Sequence, residues 1–151
     1  MPSLAPAIVV AHVAEEAPGF VEWANSLMED DITQQLFIAV NTVAFVVTAV
    51  LAVIVALSCS RDAIVLMLAL LSFLMFGNAI LHVGATVALG RYCPGVVTSV
   101  VLYLPFFFVF LRQARWQFGI GLASAAAVVV VAAFPMLLHG YLIVFRGSRL
   151  F

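Results

Sequence analysis

The sequence predicts an all-α polytopic membrane protein, a four-helix transmembrane bundle with up-and-down topology. Of its 151 residues, 66% are hydrophobic and only 9% are charged, whereas a soluble domain is about half apolar. Four apolar stretches are long enough to cross a hydrocarbon core of about 30 Å, which takes about 20 helical residues. Barrel strands would alternate polar and apolar residues, and these stretches do not, so the spans are helical.

Residues 1–33 precede the spans and differ from them. The run "LAPAIVVAHVAEEA" is too short to cross a membrane, and the Pro18-Gly19 pair should break its helix. Beyond the break, Phe20, Trp23 and Leu27 fall on one helical stripe. We therefore predict a re-entrant or interfacial amphipathic segment, with Trp23 as an anchor at the membrane surface.

The four spans follow as one integral membrane domain covering residues 1–151. Their predicted bounds are Gln34–Ser58, Ala63–Gly90, Gly95–Leu111 and Gly119–Phe145. The connections are short, with "RQARWQF" as the longest. Short connections force successive helices to pack as antiparallel neighbours. The number of Arg residues is equal on the two sides, so orientation is not predicted.

Polar residues in the spans concentrate in one leaflet. Because spans alternate in direction, the second and fourth both end on the side where the first begins. His82 lies nine residues before Arg91, and His139 lies seven before Arg146, so the two imidazoles should sit at similar depth. Four further polar residues fall in this layer: Asn41, Asn78, Thr98 and Tyr103. An ionisable residue at membrane depth costs about 2.5–3.5 kcal/mol, so we interpret the cluster as a functional site beside a cavity.

The N-terminal segment adds metal-binding chemistry to this layer. His12, Glu15 and Glu16 stand at i, i+3 and i+4, so a helix projects all three from one face. We predict a divalent metal, Zn or Fe/Mn, bound by His12, Glu16, His82 and His139. Glu15, Glu16 and Tyr92 are the candidate catalytic groups, with the spare carboxylate as a base. The predicted function is a membrane-embedded metalloenzyme, hydrolytic or oxidative, that acts on a membrane lipid or lipophilic small molecule.

Two other functions stay open. Without metal, adjacent carboxylates in a poorly solvated place would raise one pKa and suit an acid/base isomerase or cyclase. The second alternative function is that of a non-enzymatic transporter or a lipid-binding subunit. Transport would require polar residues in both leaflets, whereas here they concentrate in one. Small residues in "GIGLASAAA" would allow a homo-oligomer. A chain with no Lys and no basic patch excludes nucleic acid as a partner.

Other polar residues are interpreted as structural. Four acids of the N-terminal segment form a solvated face: Glu22, Glu29, Asp30 and Asp31. Four arginines contact lipid headgroups: Arg112, Arg115, Arg146 and Arg149. Cys59 and Cys93 lie near opposite ends of one predicted span, so no disulfide joins them.

Three short motifs resemble a known family. "HVAEE" at His12–Glu16, "NAILH" at Asn78–His82 and "YCPG" at Tyr92–Gly95 resemble the HxxEE, NxxxH and YxPG marks of the HXXEE family of integral membrane proteins, and they occur in the same order. The resemblance covers residues 10–112, so His139 is included on depth alone. It implies that the motif residues belong together in a protein of the bacterial inner membrane, and it supplies no substrate. Pro94 and Gly95 also suit a turn between two spans.

Overall fold

The computed structural model describes residues 2–29 and 31–148, and these form helices and short connections without a strand. A 3-10 turn, Pro2–Leu4, leads into two N-terminal helices, α1 (Ala5–Glu16) and α2 (Phe20–Asn25). Four long helices follow: α3 (Gln34–Ser58), α4 (Arg61–Leu89), α5 (Val96–Phe118) and α6 (Leu122–Arg146). The all-α prediction is confirmed. Asp30 and Arg149 lie outside the described residues.

Helices α3 to α6 are each long and apolar enough to cross a membrane, as predicted. The bounds of α3 agree with the prediction, and its N-terminus is capped by the Thr33 hydroxyl. The segment "RQARWQF", which was predicted to connect two spans, is instead helical, because α5 continues to Phe118. Gln, Ala and Arg are good helix formers, so the chain leaves the helix only at Gly119, whose φ is +62°.

Helix α1 belongs to the bundle rather than to its surface. It packs along α3 and against the start of α5. Ala5 and Val9 are fully buried in the main apolar core, which also contains Ala52 and Val55 of α3. A helix of 12 residues reaches only about 18 Å at 1.5 Å per residue. It is therefore too short to span a membrane and is buried inside the bundle, and its re-entrant placement stays a prediction.

Helix α2 also turns its apolar stripe inward. Trp23 is only 8% exposed and packs in a cluster with Ala85 and Cys93, and Phe20 and Leu27 pack against the same cluster. The interpretation of Trp23 as an anchor at the membrane surface is therefore wrong. The apolar stripe to which it belongs packs on the ends of other helices. The predicted solvated face of acids is confirmed for the three of them that the structure describes, since Glu22, Glu29 and Asp31 are exposed.

Helix α4 is the central element of the bundle. Half of its apolar window is buried, compared with 17–28% for the other three spans, and it packs against α3, α5 and α6. Close approach to α6 depends on two glycines. A Cβ at Gly140 would lie 2.6 Å from Leu81 Cγ, and one at Gly77 would lie 3.0 Å from Met136 Cβ. These glycines allow α4 and α6 to approach more closely than larger residues would permit.

The Gly140→Ala variant should therefore be less stable than the wild type. Its added methyl group would overlap Leu81, and overpacking of this kind costs about 1–3 kcal/mol. Gly84→Ala is the matched control, because it adds the same methyl to α4 with nothing within 4 Å. We expect a lower thermal midpoint for Gly140→Ala and an unchanged or raised one for Gly84→Ala in detergent-solubilised protein. Equal midpoints would contradict the close packing of α4 and α6.

Candidate metal centre

A buried His-Glu-His group joins α1 to α4. α1 places His12 and Glu16 one turn apart on its buried face, with 1% and 4% of their surface exposed, and α4 supplies His82, which is 0% exposed. The Oε1 atom of Glu16 lies 3.3 Å from His12 Nε2 and 2.9 Å from His82 Nε2. The two imidazole rings meet edge to face at 5.1 Å. Among the described residues, these three form the group of potential ligands, with one atom from each lying within 4.8 Å of the others.

The spacing of this group is compatible with a shared cation. Both Nε2 atoms are buried, and neither has a hydrogen-bond partner among the described residues although Glu16 Oε1 is close. Buried polar nitrogens are almost always hydrogen-bonded, so two orphans at one point need an explanation. Ligands held tetrahedrally at about 2.0–2.1 Å from one metal lie about 3.4 Å apart. The Glu16–His12 separation of 3.3 Å is close to this value, and the Glu16–His82 separation of 2.9 Å is shorter.

The outer nitrogen of His12 is held by Thr98, and this contact fixes the tautomer of the ring. His12 Nδ1 lies 2.8 Å from Thr98 Oγ1, and the Thr98 hydroxyl donates to the carboxylate of Glu15. Since a hydroxyl has one proton, Thr98 must accept from His12 Nδ1–H. A neutral His12 then has its lone pair on Nε2, the nitrogen that faces Glu16 and His82. This is the outer hydrogen bonding that metal-binding histidines usually have.

Glu15 is fully engaged in hydrogen bonds, although it adjoins Glu16 in sequence. Its Oε1 accepts from the Tyr92 hydroxyl at 2.6 Å and from the backbone N–H of Val97 at 3.1 Å, while its Oε2 accepts from the backbone N–H of Thr98 at 2.7 Å. Partial burial raises the pKa of Glu15. The hydrogen bonds from Thr98, Tyr92 and Val97 outweigh this effect and lower the pKa to about 2. The bond to Glu15 raises the pKa of Tyr92 to about 12, so Tyr92 remains the donor.

The expectation that one carboxyl of the pair has a raised pKa is therefore wrong. Burial raises the pKa of Glu16, yet its contacts with His12 and His82 outweigh burial and hold that pKa below the ordinary value. Neither carboxyl therefore has the raised pKa that was expected. Their side chains diverge around the helix, so each has its own partners and the expected mutual repulsion does not decide their ionisation.

Sequence reasoning missed the role of Cys93, which it considered only as a disulfide partner. The thiol is fully buried, and its Sγ lies 3.2 Å from His82 Nδ1. Burial, together with the charge of Glu16, raises the pKa of Cys93 to about 12, so the sulfur is a neutral thiol. It contacts the ring nitrogen that faces away from Glu16. Cys93 is therefore placed to orient His82 from outside the group.

Gly95 presses its backbone directly against the group. Its φ is +97°, and a Cβ there would lie 2.8 Å from His82 Cε1 and 2.9 Å from His12 Cε1. The "YCPG" turn was predicted to need glycine for a chain reversal, and that is correct as far as it goes. The structure adds a second requirement, because only a residue without a side chain can lie over both imidazoles.

Two π-helical segments, which the sequence did not signal, adjoin the group. Ser72–Gly77 lies in α4 directly before Asn78, and Ser99–Tyr103 lies in α5 directly after Thr98. The second segment buries Tyr103 with its ring 4.1 Å from that of His12. Segments of this kind occur often at functional sites, since the extra residue per turn redirects the side chains that follow.

A mostly apolar cavity of about 170 Å³ borders the group. Glu16 and His82 form part of its wall, together with the three other polar residues Asn41, Asn78 and His139. His139 is half-buried in this wall and lies outside the three-residue ligand group. The structure therefore brings His12, Glu16 and His82 together, and it places the fourth predicted ligand beside the cavity.

These features define a class: a polytopic helical membrane protein with a buried two-His, one-carboxylate group beside an apolar cavity. The chain belongs to the family described as proteins of unknown function with an HXXEE motif, whose family model matches residues 3–110. That range contains the three-residue group and its hydrogen-bond partners, and it leaves out His139. No curated protein and no solved structure matches the chain significantly.

The Gly95→Ala variant tests the contact between the turn and the two imidazoles. Both Gly95 and Gly119 have positive φ, but a Cβ at Gly119 meets nothing within 4 Å. Each alanine variant has a backbone cost of about 1–2 kcal/mol, and only Gly95→Ala adds overpacking of about 1–3 kcal/mol. We expect a clearly lower thermal midpoint for Gly95→Ala than for Gly119→Ala, and equal losses would contradict the contact.

Proposed function

We propose that His12, Glu16 and His82 bind one divalent metal ion, and that the protein is a membrane-embedded enzyme acting on a lipophilic substrate. The observation that carries the proposal is the convergence of two buried Nε2 atoms, neither with a hydrogen bond of good geometry, within 3.3 Å of one Glu16 oxygen. Burying a carboxylate and two imidazoles in a bilayer is costly unless they bind something. A cation at their meeting point satisfies all three.

The ligand set favours zinc or ferrous iron. Three protein ligands leave an open coordination position, as in catalytic rather than structural zinc sites. Two His and one carboxylate are also the ligand set of non-haem iron oxygenases, and manganese accepts the same donors. Such a metal would supply Lewis-acid or water-activating chemistry, or oxygen chemistry if it is iron.

Glu15, Tyr92 and Thr98 act as positioning residues in this proposal. The hydrogen bonds of Glu15 occupy both of its oxygens, so the base role expected for a spare carboxylate has less support than an orienting role. The chain of contacts runs from Tyr92 through Glu15 and Thr98 to His12. It holds His12 in the tautomer that a metal requires.

The metal-free alternative has one observation in its favour. The 2.9 Å separation of His82 Nε2 and Glu16 Oε1 would suit a shared proton in an acid/base isomerase or cyclase. The convergence of both Nε2 atoms on one Glu16 oxygen, without a hydrogen bond of good geometry, is a better match to a metal. Transport has less support, because Thr48 and Ser72 in the other half of the bundle donate to carbonyls of their own helices.

The bacterial inner membrane is the proposed location. Helical spans such as α3 to α6 are typical of that membrane, whereas proteins of the outer membrane are barrels.

Elemental analysis of purified protein tests the metal directly. We expect about one zinc, iron or manganese per chain in the wild type, and loss of that metal in His12→Ala, His82→Ala and Glu16→Gln, because each change removes a ligand. His139→Ala and Glu22→Gln are the controls and should keep the metal. Loss of metal in His139→Ala would support the four-ligand set instead. A wild type that takes up none of these metals would overturn the proposal.

The Thr98→Val variant tests the positioning role. It keeps the shape of the side chain while removing the acceptor for His12 Nδ1–H, and changes to such outer partners lower metal affinity about 10–100-fold. Tyr92→Phe should have a smaller effect, since it removes one of several bonds to Glu15. Thr42→Val, on the exposed face of α3, is the control. Affinity is measured by competition with a chelator, and equal affinities in all three variants would contradict the role.

A further inference from the structure

The cavity beside the candidate metal centre extends along three helices. On α3 its wall runs from Leu36 to Ala44, on α4 from Phe73 to His82, and on α6 from Met136 to Ile143. At 1.5 Å per residue these stretches measure about 10–14 Å. The cavity is therefore elongated along the spans, and Glu16 and His82 form part of its polar wall.

The cavity opens toward the hydrocarbon. α3 packs on α1 and on the first part of α4, but it has no substantial contact with α6 or with the Asn78–Leu89 part of α4. The gap between these helices is where the cavity lies. Leu36 and Val40 line it and are also 42% and 53% exposed on the outer face of the bundle. A molecule dissolved in the bilayer could therefore enter sideways.

The size of the cavity suits part of one hydrocarbon chain. Its volume is about 170 Å³, comparable to a cavity of about 150 Å³ that holds one benzene ring. Most of the wall is apolar, with side chains such as Phe20, Val40, Phe73 and Met136. Part of one hydrocarbon chain would fill this space, with the remainder of the chain in the bilayer.

The polar groups of the wall specify an uncharged end that donates a hydrogen bond. None of the described residues lining the cavity is Lys or Arg, so a phosphate or carboxylate headgroup would have only the imidazoles of His82 and His139, or the proposed metal ion, to offset its charge. Asn78 Oδ1 is buried in this region without a partner among the described residues. An acceptor in that position needs a donor, and Asn78 lies one helical turn from His82.

From these observations we infer that the molecule bound in the cavity is an uncharged single-chain lipid with a hydroxyl group at its end. The hydroxyl donates to Asn78 Oδ1 beside the candidate metal centre, and the chain leaves through the gap between α3 and α6. The inference rests on the proposed function and names its substrate class, a long-chain alcohol.

Photo-crosslinking in nanodiscs tests the inference. Three diazirine-bearing probes of equal chain length are compared: an alcohol, a carboxylic acid and a plain hydrocarbon. We expect the alcohol to label cavity residues of α3, α4 and α6, with labelling by the other two about tenfold weaker, as a difference of about 1.4 kcal/mol gives. Asn78→Leu should reduce alcohol labelling to the level of the hydrocarbon. Equal labelling by all three probes, or labelling confined to the outer surface, would overturn the inference.

A cavity-filling variant separates this inference from the metal proposal. Ala44→Trp should abolish labelling in the cavity while keeping the metal, and Val47→Trp, on the exposed face of the same helix, should leave both unchanged. Alcohol labelling that survives in Ala44→Trp would contradict the lipid site alone. Specific labelling in a protein that binds no metal would support the lipid site and overturn the metal proposal.

Discussion

The contact of the Glu16 carboxylate with two imidazoles is the constraint on which the arrangement of this protein depends. It joins a helix that does not cross the membrane, α1, to the most buried helix of the bundle, α4. Ionised groups at this depth are expensive, so surrounding residues must hold them closely. Thr98 and Cys93 contact the Nδ1 atoms of the two rings, the ring of Tyr103 lies against that of His12 at a tilt of 30°, and Gly95 lies against both imidazoles.

The two adjacent glutamates have different partners because a helix turns by about 100° per residue. Glu16 faces the interior and meets His12 and His82. Glu15 faces the first turn of α5, where two backbone N–H groups and the Thr98 hydroxyl are available. The HxxEE pattern thus combines a buried carboxylate with a second one that anchors α1 to α5. Glu16 contacts His12 directly, and Glu15 is linked to it through Thr98.

Hydropathy and helical spacing were sufficient to predict the spans and the central pairing of the site. Length and apolarity located α3 to α6, and the i, i+4 spacing of His12 and Glu16 with the depth of His82 predicted that they share a site.

The third helix was ended too early, because Arg112 and Arg115 look like loop residues although they continue the helix. Trp23 was misjudged because a stripe alone does not say what it faces. The contacts of Cys93 and Gly95 require the path of a turn in three dimensions, and no pattern marks the π segments.

Access to the centre follows from what covers it. The "YCPG" turn closes over the imidazoles at the end of α4, and Cys93 and Gly95 in it are buried. The cavity instead borders Glu16 and His82 from the side of α3, where α3 and α6 separate. Under the proposed function, a turn that covers one end of the centre and a gap on the outer face of the bundle favour the bilayer as the source of the substrate. A short re-entrant helix makes this arrangement feasible, because it carries His12 and Glu16 into the bundle without filling the space beside α3.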